Sequence, residues 1–305
     1  MAAFTFPMPG KRFVIGVPYL WLLVFFLLPF LILLYISFVD MGNDINPFKP
    51  IWDAKTGLLK LKYENYGSIF RGSEGGALFQ TLYIDAYLRS LWYALCTALL
   101  CLAVGYPFAY FLARSPSSVR PALLMMVMLP FWTSFLLRVY AWKGILADQG
   151  VLNRTLITLG ITAEPIQLLY TDVSMLVGMT YVYLPFMVLP LYANLVKMDF
   201  RLLEAAHDLG ASPLKAFWLV TVPLSRAGII AGFMLVFIPC VGEFVIPSLL
   251  GGPENSMIGR VVWDEMFTSN NWPRATALAV VMIGLIVVPL AIYYHYTGDA
   301  AEPVK

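Results

Sequence analysis

Two ionisable side chains interrupt long uncharged stretches of this chain. Glu243 is the one charged residue in the run 227–250, and Arg138 follows the uncharged run 121–137. If those runs cross a bilayer, each charge costs about 2.5 to 3.5 kcal/mol on insertion scales, and such a residue is functional by default. Glu243 sits in Pro239-Cys-Val-Gly-Glu-Phe-Val-Ile-Pro247, where two prolines and a glycine weaken a helix and free backbone groups. A carboxylate beside aromatic Phe244 at a broken helix can pass a cation by charge attraction and cation–π contact. The same carboxylate can instead cap freed backbone groups or pair with Arg138, and both structural roles stay open beside the path-lining one.

A second group of residues has spacing rather than charge to recommend it. The loop 199–223 reads as two short helices with a joint. Residues 201–209 are mostly helix formers, and Gly210 follows where a left-handed residue ends a helix. Ser212 is then a natural N-cap and Pro213 a natural first helical residue. Leu202, Ala206 and Leu209 fall at i, i+4 and i+7, giving one apolar stripe. Small Ala205 and Ala206 let another surface approach the backbone closely. Such a helix suits docking into a groove on a partner; an ordinary interfacial loop is the plainer reading.

Other polar and aromatic positions support smaller expectations. Asp172 and Asp85 begin apolar runs, where they can attract a cation or simply favour a helix N-terminus. Trp132, Tyr140, Tyr181, Tyr183 and Trp263 supply aromatic surface for a substrate, as they equally would for interfacial belts. His207 has no Ser, Cys or metal partner in sequence that would make it catalytic. Cys96, Cys101 and Cys240 lie in apolar runs without CxxC spacing and read as small buried hydrophobes. No metal site is expected, and the chain lacks the G-x-x-x-x-G-K-[ST] phosphate loop.

The elements that must position these residues follow from composition. Of 305 residues, 60% are hydrophobic and only 12% charged, against roughly 25% charged in soluble domains. With a mean hydropathy of +0.77, the chain cannot clothe a water-soluble surface. Disorder, coiled coil, collagen-like repeats and a disulfide-stapled fold each need a composition this chain lacks. A net charge of +2 is too mild to argue for nucleic acid. An integral membrane protein embedded in lipid remains.

A crossing helix needs about 20 mostly apolar residues. Six runs qualify: 13–39, 90–113, 121–137 continuing to about 146, 173–196, 227–250 and 275–296. The first is longer than the roughly 7–15 residues of a signal core and has no small-residue cleavage element, so it reads as a retained anchor. Arg114 and Arg120 in one short connection, and Lys11 with Arg12 before the first run, place those segments and both termini in the cytoplasm. The loop 40–83 is long enough to have structure or function of its own. The expected fold is all-α, a six-helix transmembrane bundle. It divides into an anchor helix with an outer loop (1–85), a core (86–296) and a cytoplasmic tail (297–305).

The loop 199–223 carries a resemblance. Glu204-Ala205-Ala206, three residues, Gly210, nine residues, then Val220-Thr221-Val222-Pro223 resembles the EAA motif of binding-protein-dependent ABC importer permeases, E-A-A-x3-G-x9-I-x-L-P. Only the two apolar residues near its end differ. The resemblance implies the type I, MetI-like permease fold, with the first helix outside a five-helix core. It further implies that Glu204, Ala205, Ala206, Gly210 and Pro223 couple the chain to a cytoplasmic ATPase. ATP and Mg would then bind two partner ATPase subunits, with a second homologous permease and a periplasmic binding protein completing the importer; this chain would bind no cofactor and catalyse nothing.

The segments 130–142, 183–190, 241–253 and 257–261 are similar to the polyamine branch, putrescine more than spermidine, in a bacterial inner membrane. On that reading Glu243, Phe244, Arg138, Asp172, Tyr183 and Trp132 are the candidate substrate path. Ferric iron, aminoethylphosphonate and sulfate permeases are the neighbouring alternatives, though an oxyanion has no evident use for Glu243. An ion-coupled secondary transporter would need inverted repeats, and a membrane enzyme would need clustered catalytic groups.

Overall fold

The computed structural model describes residues 11–42, 46–52, 60–70 and 82–298. Among them every regular element is helical. The first run forms α1 (Lys11–Leu22) and α2 (Leu28–Ser37), joined by a π-helical turn at Leu23–Leu27 just before Pro29. A short helix, α3 (Glu64–Phe70), precedes the long α4 (Leu82–Arg114). At 33 residues, α4 is about 50 Å long and outreaches a hydrocarbon core of about 30 Å.

The third expected span is not one helix. It rises as α5 (Arg120–Met128), tightens into a 3-10 turn at Leu129–Trp132, and then bends by 87° into α6 (Phe135–Leu146) and α7 (Val151–Thr158). Pro130 lacks an N–H and cannot continue the ladder. Thr133 and Ser134 turn extended beyond it, and the Thr133 hydroxyl donates to the Pro130 carbonyl at 2.7 Å.

The fourth span is α8 (Asp172–Leu195), unbroken despite Pro185 and Pro190. After α9 (Arg201–Asp208) come α10 (Pro213–Ala216), a π-helical turn at Phe217–Thr221, and α11 (Val222–Leu224). A 69° elbow leads into α12 (Arg226–Val241). The fifth expected span, drawn to residue 250, is helical only to Val241; the chain restarts as α13 (Val245–Leu250). Then follow α14 (Ile258–Trp263), a π-helical turn at Asp264–Thr268 and α15 (Trp272–Gly298). Among the described residues three helices are long and apolar enough to cross a membrane alone, or five crossings if each bent pair counts as one, and α15 has the apolar stretch Trp272–Val288.

The chain forms two compact units, residues 1–81 with 262–305 and residues 82–261. In the first, α2 and α3 pack on α15. Helix α3 is tied to the end of α2: Asn65 Nδ2 donates to the Ser37 and Val39 carbonyls at 2.9 Å, and the Tyr66 and Ser37 hydroxyls meet at 2.7 Å. Lys62 Nζ lies 2.5 Å from Asp40, a hydrogen bond that raises the lysine's pKa. The tail expected at 297–305 falls outside the described residues from 299 onward.

In the second unit α4, α8 and α12 pack pairwise. Without water to drive association, membrane helices rely on small residues for close packing. Gly232 faces Met187 and Gly105 faces Met187 and Val188, with no room for a larger side chain at Gly232. Cys101 and Cys240 are buried in this core as free thiols, and Cys96 is half-buried.

Candidate functional site

The break after α12 is built around Glu243. Gly242 ends the helix, and the Phe244 N–H, Val245 N–H and Ile246 N–H would start α13 without intrahelical partners. Glu243 Oε1 accepts from all of them, at 3.1, 3.0 and 3.5 Å. A carboxylate at a helix N-terminus is also favoured by the dipole. The other oxygen, Oε2, accepts from the Tyr183 hydroxyl of α8 at 2.6 Å. Gly259 closes the arrangement from α14: a Cβ there would lie 2.4 Å from the Gly242 carbonyl oxygen.

Aromatic rings extend from this point. Tyr183 and Phe186 have centroids 6.1 Å apart, Phe186 and Phe131 5.2 Å, and the Arg138 guanidinium lies 5.4 Å over the Phe131 ring. The pairing of Arg138 with Glu243 that the sequence left open does not form. Among the described residues no ion pair reaches Arg138, and its Nε and Nη1 are buried without a hydrogen-bond partner. Three amides and a hydroxyl already occupy the carboxylate, and the 87° bend sets the course of α6. The structure thus joins Glu243, Phe244 and Tyr183 directly and connects Arg138 to them only through rings. Trp132 stands at the bend, 77% exposed, and Trp142 packs edge-on to Tyr181 at 5.5 Å.

Asp172 lies at the far end of α8 and is exposed. It is not the helix cap, since Thr171 holds that position in a reciprocal capping box with Ser174. Instead Asp172 Oδ1 accepts from the Tyr93 hydroxyl at 2.8 Å and from Asn255 Nδ2. The hairpin that begins at Glu243 is thereby fastened at its other end. The Ser174 hydroxyl donates to the Leu250 carbonyl, and the Ile258 N–H donates to the Ser90 hydroxyl, both at 2.7 Å. Tyr93, Ser90, Ser174 and Asn255 went unnoticed in sequence because serine and tyrosine are unremarkable in apolar runs. Among the described residues no group of His, Cys, Asp and Glu is arranged to hold a metal.

The loop 199–223 has the geometry its residues suggested. Gly210 has φ +85°, the left-handed residue that ends α9, and the Ser212 hydroxyl accepts from the Lys215 N–H at 3.4 Å with Pro213 following. His207 Nδ1 lies 2.9 Å from the Ala211 carbonyl; a carbonyl only accepts, so Nδ1 carries the proton and donates across the joint. Leu203, not the predicted stripe, is the buried residue of α9. Leu202 is half-exposed and Leu209 is 90% exposed. Glu204, Ala205, Gly210 and Pro223 are exposed too and Ala206 is half-buried, so the two leucines of the stripe lie open while its middle sits partly against this chain.

Comparison with known proteins gives the family of the chain. The family described as binding-protein-dependent transport system inner membrane component matches residues 103–298. The spermidine/putrescine transport system permease protein PotB of Haemophilus influenzae is 36% identical over 286 residues, covering 93% of each chain. PotB of Escherichia coli is 38% identical over 275 residues, covering 90% of this chain and 93% of that one. The inner membrane ABC transporter permease protein YdcU of Escherichia coli is 34% identical over 229 residues, 70% and 72% of the two chains. Among solved structures, a chain of a bacterial ABC transporter that imports alginate has the same fold, with a TM-score of 0.67, 15% identity and coverage of 96% and 97%. The chain belongs to the family of inner membrane components of binding-protein-dependent transport systems.

Proposed function

We propose that this chain is a permease subunit of an ABC importer for polyamines, putrescine and spermidine. The supporting observation is near full-length similarity to two permeases named for spermidine and putrescine transport. In this reading it pairs with a second homologous permease and two ATPase subunits that bind ATP and Mg, and it receives solute from a periplasmic polyamine-binding protein. It lies in the inner membrane with both termini cytoplasmic. The open side of α9, with Leu202, Leu209, Glu204, Ala205 and the half-buried Ala206, docks on an ATPase, and Gly210 and Pro223 shape the joint that carries the ATPase stroke into α12. Putrescine and spermidine are polycations. An intramembrane carboxylate flanked by Tyr183, Phe244 and Phe186 suits such a solute by charge and by cation–π contact.

Within that path Glu243 has divided duties. Oε1 is committed to the amides of α13, so the cation shares Oε2 with the Tyr183 hydroxyl and meets the Tyr183 ring; Asp172 stands at the outer end, and Arg138 and Trp132 border the path at the bend of the third crossing. The test is uptake of labelled putrescine and spermidine by liposomes holding the assembled importer, with its binding protein and internal ATP. ATP-dependent uptake of either polyamine supports the proposal, and uptake of neither overturns it. Glu243→Gln keeps an acceptor for the amides but removes the charge. Uptake falling at least tenfold with assembly intact supports the path role, and unchanged uptake leaves Glu243 a cap alone.

A further inference from the structure

A groove of about 320 Å3 opens between α4 and the segment that follows the coupling loop. Leu99, Ala103 and Pro107 form one wall; Trp218, Val222 and Ile229 form the other. Pro107 interrupts the hydrogen-bond ladder of α4, and the π-helical turn at Phe217–Thr221 displaces the facing backbone. Tyr106 supplies the lining's one hydroxyl, which is turned away into a 2.7 Å hydrogen bond with Ser225. What remains is apolar.

Two cations flank the groove residues in sequence. Residues 211–230 contain Lys215 and Arg226 and no Asp or Glu, and both cations are exposed. Lys215 precedes Trp218 by three positions and Arg226 precedes Ile229 by three, so each lies one helical turn from a groove residue. The groove follows the roughly 12 Å of α4 from Leu99 to Pro107 and offers no polar group to a peptide, so its lining fits a single hydrocarbon chain.

We propose that the groove holds an acyl chain of an anionic phospholipid, whose phosphate is met by Lys215 and Arg226. The coupling-loop side of the membrane supplies it, and the inference is independent of which solute is carried. Occupancy braces the elbow between α11 and α12, because Phe217 packs edge-on to Tyr106 at 5.4 Å directly beside the groove. An emptied groove leaves that contact with a void behind it.

Tryptophan quenching by bromine-labelled lipid tests this on the full chain in the complex it forms when extracted from membranes. The signal is the difference between the natural chain and Trp218→Phe. Brominated phosphatidylglycerol is expected to quench the Trp218 component at a mole fraction at least about fivefold lower than brominated phosphatidylcholine, near the worth of one cation at an anionic surface. Lys215→Gln with Arg226→Gln, both at exposed positions, removes that preference. Ala103→Phe fills the groove without changing charge and abolishes the quenching. Equal quenching by the two lipids, a preference that survives the double substitution, or no Trp218-dependent quenching by either lipid, as when a partner protein covers the groove, overturns the proposal.

Discussion

Tyr183 and Glu243 meet hydroxyl to carboxylate at 2.6 Å, where α12 ceases to be a helix. One residue lies in the middle of an intact span and the other at a break, so the contact ties a fixed wall to the hairpin that leaves it. Tyr183→Phe removes the donor and keeps the ring. Stability of the extracted complex is expected to fall by about 1–2 kcal/mol, read as a lower unfolding temperature, while a cation path that uses the ring retains uptake.

Gly259 packs directly on the backbone of that break. A methyl group there would lie 2.4 Å from the Gly242 oxygen and 2.7 Å from the Glu243 oxygen, and backbone cannot move aside as a side chain would. Gly259→Ala is expected to destabilise by about 1–3 kcal/mol. Gly144 in α6 has nothing within 4 Å of the same position, so Gly144→Ala should be neutral or stabilising by up to about 1 kcal/mol. Thermal unfolding of the two variants side by side checks both signs.

At Gly210 the constraint is conformational, with open space around it but φ at +85°. Gly210→Ala is expected to strain the joint by about 1–2 kcal/mol, and Gly210→Asn by less. Expression and membrane insertion should be retained while uptake falls in the order glycine, asparagine, alanine.

Leu209, 90% exposed, is the most accessible member of the α9 stripe. Leu209→Ser should change stability by no more than about 0.5 kcal/mol yet reduce co-purification of an ATPase subunit at least fivefold. Undiminished co-purification would remove the stripe from the docking surface.

Asp172 holds Tyr93 and Asn255 through one oxygen. Asp172→Ala releases both, and amide hydrogen exchange across residues 251–256 is expected to accelerate at least tenfold. Asp172→Asn keeps an acceptor and should show an intermediate rate.

What could be seen in the sequence was local. Gly210, Ser212 and Pro213 each declare a backbone requirement within a few residues of themselves, and the joint forms as they indicate. Glu243 announced a break because Pro239, Gly242 and Pro247 surround it, but its partner Tyr183 lies on another helix and no spacing rule connects them. The stripe of Leu202, Ala206 and Leu209 showed that α9 has an apolar face without showing which way it turns; with Leu203 buried and Ala206 half-buried, Leu202 and Leu209 are left open. The bend of the third crossing was missed because Thr133 and Ser134 are weak signals, and hydropathy averages over a right angle. Asp172 looked like a helix-terminal charge until packing set Tyr93 and Asn255 beside it.

The crowding of Glu243 limits how such a permease can be re-engineered. Its carboxylate faces three backbone N–H groups, so Glu243→Lys would direct an ammonium at the positive ends of those dipoles and leave every one of them without an acceptor. On the proposed path, a change of cargo from cation to anion is therefore closed at this position. Redesign of solute charge has to begin at side chains that the hairpin does not need for its own folding, among them Trp132 and Arg138 at the bend of the neighbouring crossing.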